Sequence, residues 1–338
     1  MHDHQIFEAG DLVLQSGSVL PAAKLAYKTY GRLNAAADNA IVYPTWFSGQ
    51  HPDNAWLIGP HMALSPERYF IIVPNLLGNG LSSSPSNTPA PFDGPRFPGV
   101  TLYDNVQLQH RLVAEQLGVK GVELVVGWSM GAQQAFHWGA LYPELVRRIA
   151  PFCGSARTSR HNQVFLEGVK AALTADAAFA AGDYAAPPTV GLRAMGRVYA
   201  GWALSQAFYR EELYATRLGA PSLEAYLAGF WDPMFQRHDA NDLLAMIWSW
   251  QHADISANPR HGGDLEKALT AITGQALVMP GETDLYFHMD DSRFEVAHMP
   301  NARLLPIPSI WGHSAGAPGL NPDDVRFIDR ALAGFLAS

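Results

Sequence analysis

Glu123-Leu124-Val125-Val126-Gly127-Trp128-Ser129-Met130-Gly131 runs from a short apolar segment, through a serine between two glycines, into a helical pattern. The apolar run reads as a buried strand, and residues 129–142 read as a helix that ends near Pro143. G-x-S-x-G at such a junction sets the serine on a tight strand-to-helix turn, where side chains in place of the glycines would clash. The hydroxyl then stands exposed above the sheet, and the helix N-terminus favours negative charge developing beside it. An ordinary tight turn is the plainer alternative.

Segments 40–44, 69–74, 148–152, 275–279 and 303–307 are further short apolar runs bounded by Gly, Pro or polar residues, as buried parallel strands are. Helical patterns alternate with them; one spans 104–117, with Asp104 as its cap and Gly118 as its stop. The alternation predicts an α/β fold: a mostly parallel central sheet flanked by helices. Between residues 160 and 268 strand signals stop, and an Ala-, Leu- and aromatic-rich stretch with helical spacing takes over, interrupted by a loop at 182–188. This predicts a helical lid inserted into a core made of 1–159 and 269–338. Residues 82–98, rich in Pro, Ser and Asn, read as a loop packed over a surface or the site.

Composition narrows the function. Of 338 residues 48% are apolar and 16% charged, enough to bury a large core. The 23 basic against 31 acidic residues give a net charge of −8, which argues against nucleic acid as a partner. Cys153 is the single cysteine, so an internal disulfide and a Cys-based zinc site are both excluded. No run of 18 apolar residues predicts a membrane span. Met1-His2-Asp3-His4-Gln5 has neither the basic nor the apolar region of a secretory signal, so a soluble, cytoplasmic protein is expected. No H-E-x-x-H or paired-His spacing suggests a metal, and His2 and His4 are expected on a frayed end. Gly78-Asn79-Gly80 lacks the third glycine and acidic partner of a dinucleotide loop, so no cofactor is expected.

Serine alone is a poor nucleophile and needs a base and an orienting acid, in the chain order Ser, Asp or Glu, His. Asp284 in Pro280-Gly281-Glu282-Thr283-Asp284, just past a strand end, is the best-placed acid; Glu282 competes locally, and Asp290 and Asp291 more weakly. His313 follows one further strand, in Trp311-Gly312-His313-Ser314. In this reading His313 takes the Ser129 proton while Asp284 fixes its tautomer. With 13 histidines in the chain, His137 in the helix after the elbow reads as core. Cys153 reads as a small buried hydrophobe. Oxyanion donors are expected from the N–H of Met130 and from the loop after residues 40–44. There Phe47 is the candidate, with Trp46 as rival. Trp231, Trp248 and Trp250 read as lid core ahead of pocket wall.

These residues carry a resemblance. The chain resembles the homoserine O-acetyltransferase family of the α/β-hydrolase superfamily over most of its length. The landmarks are Trp56-Leu57-Ile58-Gly59-Pro60, Tyr69-Phe70-Ile71-Ile72 with Asn75, Leu77 and Gly78, and Phe97-Pro98-Gly99-Val100-Thr101 with Asp104. Ser129-Met130-Gly131, Tyr142-Pro143-Glu144, Arg237-His238-Asp239-Ala240-Asn241 through His252-Ala253-Asp254, and Asp284 followed by Phe287 complete them. The resemblance implies an α/β-hydrolase core, a helical lid that often mediates homodimers, and a covalent acyl-serine intermediate. It gives Ser129, Asp284 and His313 the triad roles, and Phe47 and Met130 the oxyanion roles.

Departures bear on the substrate. The family histidine is followed by an aspartate that contacts an acceptor amino group; Ser314 stands there instead. A lost charge-assisted contact of that kind is worth about 1.5–3 kcal/mol. The family's lid arginine for the acceptor carboxylate falls on Arg197, with Arg193 as alternative, and its tyrosine partner then falls on Leu204. Ala132 replaces the second glycine after the nucleophile, and Thr45-Trp46-Phe47-Ser48 is bulkier than the family's usual stretch. Trp46, Trp128, Arg197 and Ser314 are the candidate substrate-binding residues. The expected function is hydrolysis of a small-molecule ester or thioester through an acyl-serine. The alternative is O-acyl transfer from acetyl-CoA to a hydroxyl acceptor such as homoserine or serine. A non-catalytic binding protein on the same fold is the third reading.

Overall fold

A computed structural model describes residues 3–316 and 318–338. The strands are β1 (Gln5–Val13), β2 (Val19–Tyr30), β3 (Ala40–Val42), β4 (Phe70–Pro74), β5 (Val122–Trp128), β6 (Arg148–Phe152), β7 (Gln275–Val278) and β8 (Ala302–Leu304). Among the described residues they form one sheet in the order β1-β2-β4-β3-β5-β6-β7-β8. The β1–β2 and β2–β4 pairs are antiparallel and the others parallel. The central strands are largely apolar because both faces are covered, with Glu123 and Arg148 at their starts the charged exceptions. Leu124 and Val126 of β5 enter one core and Val125 the other; Ile41 of β3 faces the first and Val42 the second.

The β1–β2 hairpin lies outside the strands expected from sequence. Its burial alternates, and a register shift around Gly10, whose φ is +69°, interrupts that alternation, so no apolar run marks it. The expected cap of the helix after β4 is also corrected. This helix, α1 (Leu102–Arg111), starts from Thr101, whose hydroxyl accepts from the Asp104 N–H at 3.1 Å, while Asp104 Oδ2 accepts from the Thr101 N–H at 2.9 Å. Asp104 therefore closes a capping box from inside the first turn. Its other oxygen accepts from the Gln15 N–H at 2.7 Å, tying α1 to the hairpin.

Helix α2 (Met130–Leu141) follows β5 directly and is buried along its whole length. Helices α3 (Arg160–Thr174), α4 (Thr189–Ala203), the short α5 (Gln206–Arg210), α6 (Leu213–Thr216), α7 (Leu223–Tyr226) and α8 (Asp232–Gln236), then α9 (Ala240–Gln251) and α10 (Leu265–Thr270) separate β6 from β7. Helix α11 (Met289–His298) joins β7 to β8, and α12 (Pro322–Leu336) packs its Ile328, Leu332 and Phe335 into the first core. Loop 82–98 is stitched to α9: Ser86 donates from its N–H and hydroxyl to Asp242 at 2.9 and 2.6 Å. No helix among the described residues is long and apolar enough to cross a membrane.

Strand β3 lies between β4 and β5, so the chain leaves β3 toward one side of the sheet and β5 toward the other. Such a reversal opens a crevice at the carboxyl ends of the strands. The segment after β3 and the turn at Ser129 after β5 both end there.

Candidate active site

Ser129 sits between β5 and α2 with φ +58° and ψ −125°, a conformation that costs a non-glycine residue about 1–3 kcal/mol. Its neighbours explain why the turn holds. A Cβ on Gly127 would lie 2.3 Å from the Gly131 carbonyl carbon and oxygen, and one on Gly131 would lie 2.8 Å from the Pro44 oxygen. The turn is therefore folded back on itself and pressed against the loop after β3.

His313 is buried, and its Nδ1 lies 2.7 Å from Asp284 Oδ2. Asp284 Oδ1 accepts from the N–H groups of Tyr286 and Phe287, both at 3.1 Å. Those bonds orient the carboxylate, which is an acceptor only, so Nδ1 carries the proton and Nε2 keeps the lone pair. Nε2 is buried and makes no hydrogen bond among the described residues. The ring is clamped: it stacks on Trp128 at 4.7 Å between centroids and meets Tyr286 at 4.4 Å. Trp128 Nε1 also donates to the His313 carbonyl at 3.2 Å. Among the acids weighed from sequence, Asp284 is the one brought to the histidine; Glu282 and Asp290 are exposed.

The loop after β3 is pinned from several sides. Asn54 Nδ2 donates to the Tyr43 oxygen at 3.1 Å, the Thr45 N–H donates to the Pro74 oxygen at 3.2 Å, and Thr45 Oγ1 accepts from the Leu76 N–H at 3.0 Å. Phe47 and Trp46 are both buried, and Ser48 has φ +62°. Met130, the first residue of α2, has no carbonyl one turn back within its helix to accept its N–H.

A cavity of about 530 Å³ is lined by Ser129 and His313. Trp46, Trp128 and Ser314 are on its wall, with Phe47 beside them. Arg197 is not. Its guanidinium is committed to Asp232, at 2.9 and 3.0 Å, and to Glu224 at 2.7 Å, so its charge is satisfied away from the cavity. Arg193 is exposed and Leu204 buried, and neither lines the cavity. The helical segment instead contributes Tyr199, Ala203, Phe230, Trp231, Met234 and Arg237. Of these the sequence singles out only Trp231 as core ahead of wall, and Trp231 is both core, 3% exposed, and wall. Arg237 is a landmark of the resemblance, but nothing in its spacing points to the cavity that it lines. His137 is core: it is buried, its Nδ1 lies 2.9 Å from the Gln133 oxygen, and burial pushes it down to about 4. Burial likewise pushes the Cys153 thiol up.

One group among the described residues has metal-ligand geometry: Asp3, His4 and His51, with ligand atoms within 4.8 Å of one another. Its hydrogen bonds oppose a metal. Asn75 Nδ2 donates to the Ala26 oxygen at 3.1 Å and to His51 Nδ1 at 3.2 Å, so Nε2 bears the proton and donates to Asp3 Oδ1 at 2.8 Å. The Lys28 ammonium lies 3.8 Å from the same carboxylate. His4 is not on a frayed end as expected, since its ring packs edge-on against His51 at 5.2 Å. His2 lies outside the described residues.

Comparison with known proteins agrees with this architecture. The α/β-hydrolase fold family model matches residues 50–315. An ethyl acetate hydrolase of Pseudomonas veronii is 40% identical over 99% of this chain and 95% of its own. A homoserine O-acetyltransferase of Trichormus variabilis is 31% identical over 89% of this chain and 86% of its own. The crystal structure of an acetylester hydrolase from Corynebacterium glutamicum superposes with a TM-score of 0.96 at 37% identity, covering 99% and 96% of the two chains.

Proposed function

This chain belongs to the α/β-hydrolase fold family, and on that premise we propose that Ser129, His313 and Asp284 hydrolyse a small acyl ester through an acyl-serine intermediate. The observation that carries the reading is the buried, unbonded Nε2 of His313, on a residue that lines the same cavity as Ser129, with Nδ1–H held by Asp284. Ser129 Oγ attacks the ester carbonyl carbon and its proton passes to Nε2. The carbonyl oxygen becomes an oxyanion, taken by the N–H groups of Met130 and Phe47. Collapse breaks the bond to the alkoxide, which leaves as the alcohol with the proton from Nε2. Water then attacks the acyl-serine by the same route, releasing the acid and Ser129.

The esterase relatives at 40% identity stand nearer than the acetyltransferases at 31%, and two local features agree with them. Ser314 puts a neutral hydroxyl on the wall, with no charge to set against an acceptor ammonium, and Arg197 is occupied by two carboxylates, so it is not free for an acceptor carboxylate. Trp46, which meets Trp128 edge-on at 5.0 Å, makes the wall beside Ser129 aromatic. Residues 160–268 are taken as the lid and, by resemblance, as the surface through which two copies pair.

The test incubates the enzyme with acetyl-CoA, or with an activated acetate ester, with and without L-homoserine. Mass spectrometry quantifies acetate against O-acetylhomoserine, with Ser129→Ala as control. Acetate unchanged by homoserine is the expected result. Dominant O-acetylhomoserine would make the chain a transferase, and full activity in Ser129→Ala would remove the mechanism.

A further inference from the structure

Gln134 lies one turn into α2 and is completely buried. Its side-chain amide donates twice, to the Thr45 oxygen at 2.9 Å and to the Met130 oxygen at 3.0 Å. These carbonyls belong to the two backbone segments that carry the candidate oxyanion donors, one after β3 and one at the start of α2. The acceptor end of the amide is used as well: Oε1 accepts from Gln109 Nε2 at 2.6 Å. Gln109 Oε1 in turn accepts from Trp138 Nε1 at 2.9 Å, and Trp138 is itself completely buried. The chain of bonds therefore runs from the second core, through α1, to the mouth of the site. The two carbonyls fix the Gln134 amide by themselves, because a flip would aim its oxygen at both of them, and Gln109 only satisfies its acceptor end.

We propose that Gln134 is a positioning residue that sets the separation and orientation of the two oxyanion-binding N–H groups by bridging the Thr45 and Met130 carbonyls. This rests on the reading of Ser129 as nucleophile with its oxyanion site between those two segments. The other contacts of Thr45, from its N–H to Pro74 and from Leu76 to its hydroxyl, anchor the loop to β4 and the segment after it. Among the described residues the Gln134 amide is the side-chain hydrogen bond that joins the loop to the nucleophile turn, beside the edge-on ring contact of Trp46 and Trp128. The two segments are also in contact at Gly131 and Pro44, so a small shift of either changes the oxyanion geometry directly. A donor displaced from the developing oxyanion loses transition-state stabilisation and leaves ground-state binding largely alone.

The experiment compares Gln134→Met with Gln109→Met, two buried amide deletions in one network, of which only the first touches both carbonyls. Rates on 4-nitrophenyl acetate are normalised to sites titrated with a phosphonate, so that only folded enzyme is counted. Gln134→Met is expected to lower kcat per site about 10–100-fold with KM within threefold, below the 10²–10³ seen when an oxyanion donor is lost outright. The inhibition constant of a boronic acid, whose tetrahedral adduct mimics the oxyanion, should rise in step. Gln109→Met should keep kcat within threefold at a similar loss of melting temperature. Gln134→Glu, neutral when buried, returns one donor and should fall between. Equal kcat losses in the two Met variants, or a change confined to KM, would overturn the proposal. If Ser129→Ala also retained full activity, the underlying reading would fail; if Ser129→Ala were inert, only the role of Gln134 would.

Discussion

Asp284→Asn tests the charge arrangement with the least disturbance of shape. Asp284 Oδ1 accepts two backbone N–H groups, from Tyr286 and Phe287, so the asparagine carbonyl must take that place. Its NH₂ is then directed at His313 Nδ1, which sits 2.7 Å from the other oxygen in the native site. A donor there forces the imidazole to accept at Nδ1 and to carry its proton on Nε2, the nitrogen that should receive the Ser129 proton. The base is thereby blocked rather than displaced. For the same exchange in a serine protease the loss in kcat is about 10⁴, or roughly 5.4 kcal/mol of transition-state stabilisation. A loss of that order is expected here, with KM within a few-fold and the fold intact. The assay is hydrolysis of 4-nitrophenyl acetate at pH 7–8, with circular dichroism for folding and proton NMR for the downfield Nδ1–H resonance. Wild type should show that resonance and the variant should lose it. A variant within tenfold of wild type, or one that keeps the Nδ1–H signal, would refute the tautomer reasoning.

Further outcomes follow from single contacts. Arg197→Gln leaves Asp232, 10% exposed, without its bidentate partner and should cost about 1–3 kcal/mol of stability in a thermal melt. KM for acetate esters should stay within about twofold; a raised KM with unchanged stability would place Arg197 in substrate binding after all. Gly131→Ala drives a methyl toward the Pro44 oxygen at 2.8 Å and should lower kcat about 10²-fold, read by steady-state kinetics. Burial pushes Asp242 up to about 7, above its unfolded value near 4, so the unfolded chain loses that proton first as pH rises. Its contribution to stability is therefore fullest below about pH 4 and falls as pH rises through 7, by at most about 4 kcal/mol. Asp242→Asn, which can still bond Ser86, should flatten the melting-temperature profile between pH 4 and 7; an unchanged slope would refute this.

Local pattern was enough for the parts of the molecule that local physics specifies. The buried parallel strands, apolar on both faces, appear in the sequence as short uninterrupted runs, and the turn at Ser129 appears through the glycines that backbone contact demands. The chain order of Ser129, Asp284 and His313 follows from those strands, since each lies just past a strand end. The half-exposed hairpin β1–β2 is hidden because its alternation breaks at Gly10, and Asp104 reads as the α1 cap because it is the acidic partner of the capping box, three residues inside Thr101. The cavity wall from α4 to Arg237 at the end of α8, the commitment of Arg197 to Asp232 and Glu224, and the bridge from Gln134 to Thr45 depend on residues far apart in the chain. No period or motif records them, because which face of a helix meets which strand end is settled by packing, and a polar side chain takes the partner that packing leaves within reach.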